Sequence, residues 1–488
     1  MKFLLDTNVL IPLEPVNDGT EAVLAEDAAQ LHSLAVRHGH QVFIHPAVHR
    51  DIARDPQQER KALFEQQVRK YPRLLDPPSA SDAFIQMVGR PAVGTNDWVD
   101  DQLLVALHSN AVDYLVTEDQ RIHRKARRLG IEERVARVAE AIRLISDFAD
   151  ETPPPPPLVS AVPAYRLNAA DPIFDSFRGD YPGFNSWLEK CQRQHRQSWM
   201  IEGPGGQLAA VVIVNPETEP PPPATGRVLK ICTRKVAEEA FGFRYGELLL
   251  KAVFDYAVRN GYEWLYVTTF QKQTHLTQLF EEFGFSLADA QTSLGELQFV
   301  KPVGKTRDEG LELGPLEFHI RYGPPWVRLE GVPWYVIPIL PQFSNLLFPE
   351  TEDQLRFADP RPYGNAIRKA YLSHANVRDI EPGALLWFYR SEVDQGLVAL
   401  GVAERAVRST NPDEIARSVG KRTVYSLEQI RDLCNKEVLA VLFRQARSIQ
   451  PPIPTAELVR HGVFAQPPQS ITRIKPEGQA WLRNQLQL

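Results

Sequence analysis

Residues 228–270 read VLKICTRKVAEEAFGFRYGELLLKAVFDYAVRNGYEWLYVTTF, and this stretch orders the middle of the chain. VLKICT is a short apolar strand pattern, the segment containing Gly242 and Gly246 a glycine-bearing turn, ELLLKAVFDYAVRN a helix and WLYVTT a second strand. HLTQLFEEFGF at 275–285 adds another helix. Just upstream, LAAVVIVN at 208–215 is a further apolar strand pattern, separated from VLKICT by the run Pro220–Pro223. Two strands joined by a long loop inside one domain account for that arrangement.

Working outward, the sharpest break in composition is Pro153–Pro157, five prolines that cannot continue a helix. A softer break is VGKTRDEGLELGP at 303–315, beyond which aromatics and short strands dominate. These breaks divide the 488 residues into 1–152, 158–302 and 316–488, in keeping with roughly 100 to 200 residues per domain. Hydrophobic residues at 43% and charged residues at 24% describe an ordinary globular protein. Cys191, Cys232 and Cys434 are far apart and supply neither a disulfide framework nor a zinc site. No apolar run reaches the roughly 18 residues needed to span a bilayer, and the start of the chain meets Asp6 before a signal-peptide core could form. The expectation is a cytoplasmic protein without a membrane partner. A formal charge of −6 argues against coating nucleic acid through bulk charge, so any polyanion site must be local.

Residues 1–152 alternate strand and helix patterns. MKFLLDTNVLI at 1–11, QVFIHPA at 41–47 and VDYLVT at 112–117 read as strands; DDQLLVALHSNA at 100–111 and EDQRIHRKARRLG at 118–130 read as helices, the latter closed by Gly130. Such alternation implies a mostly parallel α/β sheet, whose ligands gather at the carboxyl ends of the strands. Asp6 and Asp119 each stand just past a strand. An Asp in that position is also a common helix N-cap.

LLDTNVLI, paired with residues 100–131, resembles the PIN-domain nuclease family. That resemblance implies a metal-dependent ribonuclease in which Asp6, Asp51, Asp101 and Asp119 hold Mg²⁺ or Mn²⁺ and activate water. Asp51, within HPAVHRDIARD, stands where the family usually has a glutamate; Asp100 is an adjacent alternative to Asp101. Thr117 either caps the following helix or bonds a ligating carboxylate. Arg124 and Lys125 are candidates to steer RNA phosphates, and on an exposed helix such a run also serves simply as a solvated face.

Residues 158–302 resemble the GNAT acetyltransferase family through the opening stretch and HLTQLFEEFGF. The resemblance implies a pyrophosphate cradle for acetyl-CoA at Val236, Gly242, Arg244, Tyr245 and Gly246, where backbone N–H groups and a helix N-terminus receive the anion. Arg244 replaces the earlier glycine of the family's Gly-x-Gly. Phe280 stands where many members carry a proton-donating tyrosine, so acyl-CoA binding is better supported than fast transfer. Tyr262 and Tyr266 are alternative acids that also read as core; Glu281 and Glu282 read as solvent-facing.

In the C-terminal part, GALLWFYRS at 383–391 and GLVALGVAE at 396–404 resemble the PUA-like superfamily that includes ASCH domains, implying a small β-barrel associated with RNA. Arg390, Lys421 and Arg422, with Phe388, Tyr389 and Tyr425, are its candidate phosphate and stacking contacts. The expected fold is therefore multidomain: an α/β PIN-like domain, an α/β acetyltransferase-like domain and a β-barrel-containing PUA-like domain. The leading functional expectation is a metal-dependent endoribonuclease, of toxin or antiviral type, with an acyl-CoA-binding regulatory domain and an RNA-binding domain. Its expected partners are RNA, tRNA included, acetyl-CoA, and a second copy or a cognate regulator. Two alternatives stand beside it: an N-acetyltransferase acting on tRNA or protein with a binding-only PIN domain, and a non-enzymatic sensor of modified nucleic acid.

Overall fold

In the computed structural model the run LAAVVIVN becomes an interior strand of a seven-stranded sheet, next to its central one. The structure describes residues 1–10, 20–54, 61, 68, 71–148, 159–237, 240, 243–271, 274–304, 312–348, 366–377, 379–392 and 394–486. The proline run at 153–157 lies outside them, as do part of the 303–315 break, Gly242, and the side chains of Asp51 and Lys421. The protein is a multidomain α/β molecule. Its described residues form two units: Met1–Pro153 with Ser409–Lys421 and Tyr425–Glu437, and Pro154–Arg408 with Arg422–Val424 and Val438–Leu488.

In the second unit the strands are β5 (Ser160–Pro163), β6 (Gln197–Glu202), β7 (Leu208–Glu217), β8 (Val228–Val236), β9 (Trp264–Thr269), β10 (Ser286–Gln291) and β11 (Leu297–Pro302), in the order β10-β11-β9-β8-β7-β6-β5. β7 and β8 are antiparallel neighbours across the loop that holds Pro220–Pro223, as the sequence implies. Because side chains alternate between faces, β7 serves two cores. Val212 and Val214 meet Leu248, Leu249, Val253 and Ala257 of the Tyr245–Arg259 helix, whose apolar residues recur at helical spacing. Val211 and Ile213 meet Phe174, Phe184 and Leu188 on the opposite face.

β8 and β9 form the sheet's one parallel pair among the described residues, and they part early. Their pairing runs from Val228↔Trp264 to Ile231↔Val267, while β8 continues to Val236 and β9 to Thr269. A register shift against β7 falls at the same place, between Ile213 and Val214. Beyond Ile231, then, the β9-facing edge of β8 has no strand partner among the described residues.

A second sheet in this unit comprises β12 (Trp334–Ile339), β13 (Arg368–Ser373), β14 (Leu385–Arg390), β15 (Gly396–Ser409), β16 (Val438–Pro454) and β17 (Thr472–Arg473), ordered β13-β16-β15-β14-β12-β17. Among the described residues no pairing between β13 and β17 closes the expected barrel. Trp334 and Trp387 stack at 5.7 Å in its core.

The first unit holds β1 (Lys2–Leu5), β2 (Gln41–Ile44), β3 (Tyr114–Val116) and β4 (Val135–Ala136) in a parallel sheet of order β2-β1-β3-β4. The helices expected around residues 100 and 120 are Asn96–His108 and Gln120–Arg128. Two helices from far along the chain, Pro412–Val419 and Leu427–Leu433, belong to this unit. The Tyr114 hydroxyl donates to Ala416 O at 3.1 Å, and Arg417 pairs with Asp113.

Candidate functional site

At the end of β8, Arg234 lies across the first turn of the Tyr245–Arg259 helix. A Cβ on Gly246 would collide with its guanidinium, so the glycine is what lets the cation approach the helix. Arg234 makes no hydrogen bond or ion pair among the described residues, and its Nε is buried without a partner. Burial lowers its pKa to about 10. A half-buried guanidinium without an ion pair among the described residues, beside a helix N-terminus, suits an anion, since both fields favour negative charge.

The cradle's other residues are used differently from expectation. Arg244 takes a left-handed backbone, φ 57° and ψ 25°, as the N-cap of the helix. A side chain there costs about 1 kcal/mol relative to glycine. Its guanidinium donates to Arg368 O at 3.0 Å and pairs with Glu247, whose carboxylate also accepts from Arg368 N at 2.7 Å. The first turn is thereby tied to β13. Val236 ends β8 half-buried, and Tyr245 is buried beneath the turn. Phe280 is fully buried against Phe285 and Phe299, so no acid stands at that position. Tyr262 and Tyr266 are core residues whose hydroxyl pKa values burial raises, Tyr266 to about 12, and neither replaces it.

On the sheet's other face, Glu296 is buried just before β11. Its carboxylate accepts from the Tyr181 hydroxyl at 2.7 Å, Thr268 Oγ1 at 3.2 Å and Thr292 Oγ1 at 3.1 Å. Nothing in the sequence singles out Arg234, although it lies within the 228–270 stretch, or Glu296.

In the first unit the acids divide into two groups. Thr117 donates to Asp6 at 2.6 Å and accepts from Asp119 N at 2.9 Å, so it bonds a carboxylate, while capping of the helix falls to Asp119. Asp119 is the N-cap of Gln120–Arg128, accepting from Arg121 N at 2.7 Å and from the Arg121 guanidinium at 2.8 Å. Burial opposes its ionisation, but the Arg121 hydrogen bonds outweigh that and hold its pKa low. Burial raises the pKa of Asp6 and raises that of Asp100 to about 7, helped there by the charges of Asp6 and Asp119. Asp101 does not join them. Its carboxylate pairs with Lys125 at 2.6 Å, and Lys125 also binds Asp97 at 2.9 Å. Asp100 replaces Asp101 in the cluster, because the helix carries adjacent residues to different sides. Lys125 is accordingly neutralised by acids, while Arg124 is exposed. Among the described residues no three His, Cys, Asp or Glu side chains converge closely enough to hold a metal ion.

In the C-terminal sheet the expected nucleic-acid contacts are largely interior. Phe388 and Tyr389 are fully buried, and Tyr425 nearly so. Arg422 is buried and pairs with Glu404, which Arg444 also binds at 2.6 Å. Arg390 is buried with its Nε donating to Asp394 O at 3.2 Å. For Phe388, Tyr389 and Arg390, all in β14, strand alternation in a two-sided core places the groups inward.

The model of the acetyltransferase (GNAT) family matches residues 164–285. No curated protein matches the chain. Solved structures similar to it include the ASCH protein from Zymomonas mobilis, 19% identical over 31% of this chain and 94% of that one, with a TM-score of 0.25. They also include an IAA acetyltransferase from Bacillus cereus, 16% identical over 30% of this chain and 99% of that one, TM-score 0.24. A GNAT-family acetyltransferase from Listeria monocytogenes is 12% identical over 25% and 70% of the two chains, TM-score 0.20. No helix among the described residues is long and apolar enough to cross a membrane.

Proposed function

We propose that the protein is an N-acetyltransferase whose middle domain, 158–302, binds acetyl-CoA between β8 and β9. The observation that carries this reading is the half-buried Arg234, whose Nε is buried without a partner, set against Gly246 at the start of the Tyr245–Arg259 helix. An anion of the pyrophosphate class satisfies the cation, the helix N-terminus and the close approach that Gly246 permits. The edge of β8 beyond Ile231 supplies main-chain groups for the amides of the pantetheine arm. When bound, acetyl-CoA supplies the activated acyl carbon; the chain's own residues hold it and orient the acceptor. Domains 1–152 and 316–488 then serve to recognise the acceptor, a tRNA or a protein. The test is to incubate the protein with radiolabelled acetyl-CoA and, separately, total tRNA and total protein. Label should enter one acceptor pool at a rate that Gly246→Val reduces at least tenfold. Equal labelling by that variant contradicts the reading.

A second reading, metal-dependent RNA cleavage by the first unit, is favoured by one observation: Asp100 Oδ2 is buried without a partner, in the field of Asp6 and Asp119. The described carboxylates do not converge closely enough to hold an ion as they stand, so this reading requires them to draw together around magnesium or manganese, which would relieve that repulsion. Asp6→Asn and Asp119→Asn should then abolish cleavage of a generic RNA. Magnesium at pH 8 should raise the melting temperature of the parent but not of Asp100→Asn. Metal-independent melting in the parent contradicts it.

A further inference from the structure

The proposed acetyl donor enters from the side of the Tyr245–Arg259 helix, which leaves the opposite face of the β8–β9 gap for the acceptor. Thr268 lies one residue beyond Val267, where β9 loses β8 as a neighbour. Leu265 and Val267 pack toward the Tyr245–Arg259 helix, so by alternation Tyr266 and Thr268 face the other way. On that face Thr268 Oγ1 donates to Glu296 at 3.2 Å, and Tyr181, from the segment between the Asp175–Asp180 and Phe184–Arg193 helices, donates to the same carboxylate oxygen at 2.7 Å. Tyr181 is held in turn by the ring of Phe270, 5.3 Å away, just past β9.

Glu296 is only 7% exposed, yet it has no Lys, Arg or His ion pair among the described residues. Three hydroxyls hold it as an acceptor. Hydroxyl donors offset part of the cost of burying a carboxylate, and a counter-cation offsets more. Resting on the acetyltransferase reading, we infer that Glu296 receives the ammonium group of a primary-amine acceptor and is the base that frees it for attack, with Tyr181 and Thr268 fixing the carboxylate. The ammonium hands one proton to Glu296, and the neutral amine attacks the thioester carbonyl carbon. As the C–N bond forms and the C–S bond breaks, the second N–H proton goes to the departing sulfur. Products are the amide and the free thiol, and Glu296 returns its proton to solvent. Proton delivery from the nitrogen itself removes the need for a tyrosine at Phe280.

The experiment has two independent readouts on the full chain. Calorimetric titration with acetyl-CoA tests the underlying reading: failure of the parent to bind overturns that reading and this inference together. Release of CoA thiol is then followed with phenethylamine, spermidine and lysine amide, and with 2-phenylethanol as the neutral control. The parent should respond to at least one amine and not to the alcohol. Glu296→Gln should keep acetyl-CoA binding within twofold, lose amine-stimulated release at least tenfold, and lose the acidic limb of the pH–rate profile. Tyr181→Phe should keep that limb with a rate several-fold lower. In the absence of acetyl-CoA, phenethylamine should give a heat of binding with the parent and none with Glu296→Gln. Bound acetyl-CoA with no amine response, or a Glu296→Gln variant with the parent's rate and pH profile, overturns the assignment while leaving the donor site standing.

Discussion

Arg234 and Asp100 are mirror cases, one cation and one anion, each with one buried side-chain atom that has no partner among the described residues. For Arg234, a neutral residue of similar length removes a desolvated charge, so Arg234→Met should leave the melting temperature unchanged or higher. Acetyl-CoA binding should weaken at least tenfold, about 1.4 kcal/mol. Calorimetry beside a thermal melt separates the two effects, and tight binding by the variant would count against the anion role. For Asp100 the sign follows from a pKa raised to about 7 from 3.8. The folded state binds this proton more tightly than the unfolded chain, so its contribution favours folding at low pH and is lost as pH rises from about 4 through about 7. The loss is on the order of 4 kcal/mol. Asp100→Asn should therefore melt above the parent at pH 8 in the absence of divalent ions, and match it near pH 4. Parallel melting curves across that range would show that the carboxyl is not strained. Neither residue was legible as part of a site. Arg234 sits in a strand where every second residue is interior, which a lone arginine does not announce, and the apolar pattern around Asp100 and Asp101 cannot tell which of two adjacent acids turns toward Asp6.

The strand–turn–helix formed by β8, its turn and Tyr245–Arg259 shows what an element's sequence conveys. Its order could be read because apolar spacing is a local property, and so could the parallel sheet of the first unit. The gap between β8 and β9 could not, since it depends on a register shift against β7. Nor could the use of Arg244, whose partners Glu247 and Arg368 are separated by more than a hundred residues of chain. That link makes a further prediction. Glu247→Gln removes the charge facing Arg244 in a buried setting, at a cost of about 3 kcal/mol. Unfolding in urea should show the loss. Acetyl-CoA affinity should fall as well, because the left-handed turn at Arg244 is held by this pair; unchanged affinity with lowered stability would mean that the turn keeps its shape without the pair.

Across the whole molecule, the contiguous division into 1–152, 158–302 and 316–488 does not coincide with how the chain is grouped, because Pro412–Val419 and Leu427–Leu433 complete the first unit. Helices 409–437 were read as part of the C-terminal domain since nothing local marks a segment that packs elsewhere. A chain starting at residue 159 should keep a melting transition for the second unit but bind a hydrophobic dye through Ile415, Ala416 and Val419, which are buried in the intact protein. A truncated chain that binds no dye would show that these helices find other cover. Acetyl transfer by this chain stands or falls with the donor site. The most direct test is calorimetric titration of acetyl-CoA into the full chain, compared with Gly246→Val and Arg234→Met: one site per chain with micromolar affinity, lost or weakened at least tenfold in both variants, is the result expected, and no heat in the parent, or equal affinity in all three, would contradict it.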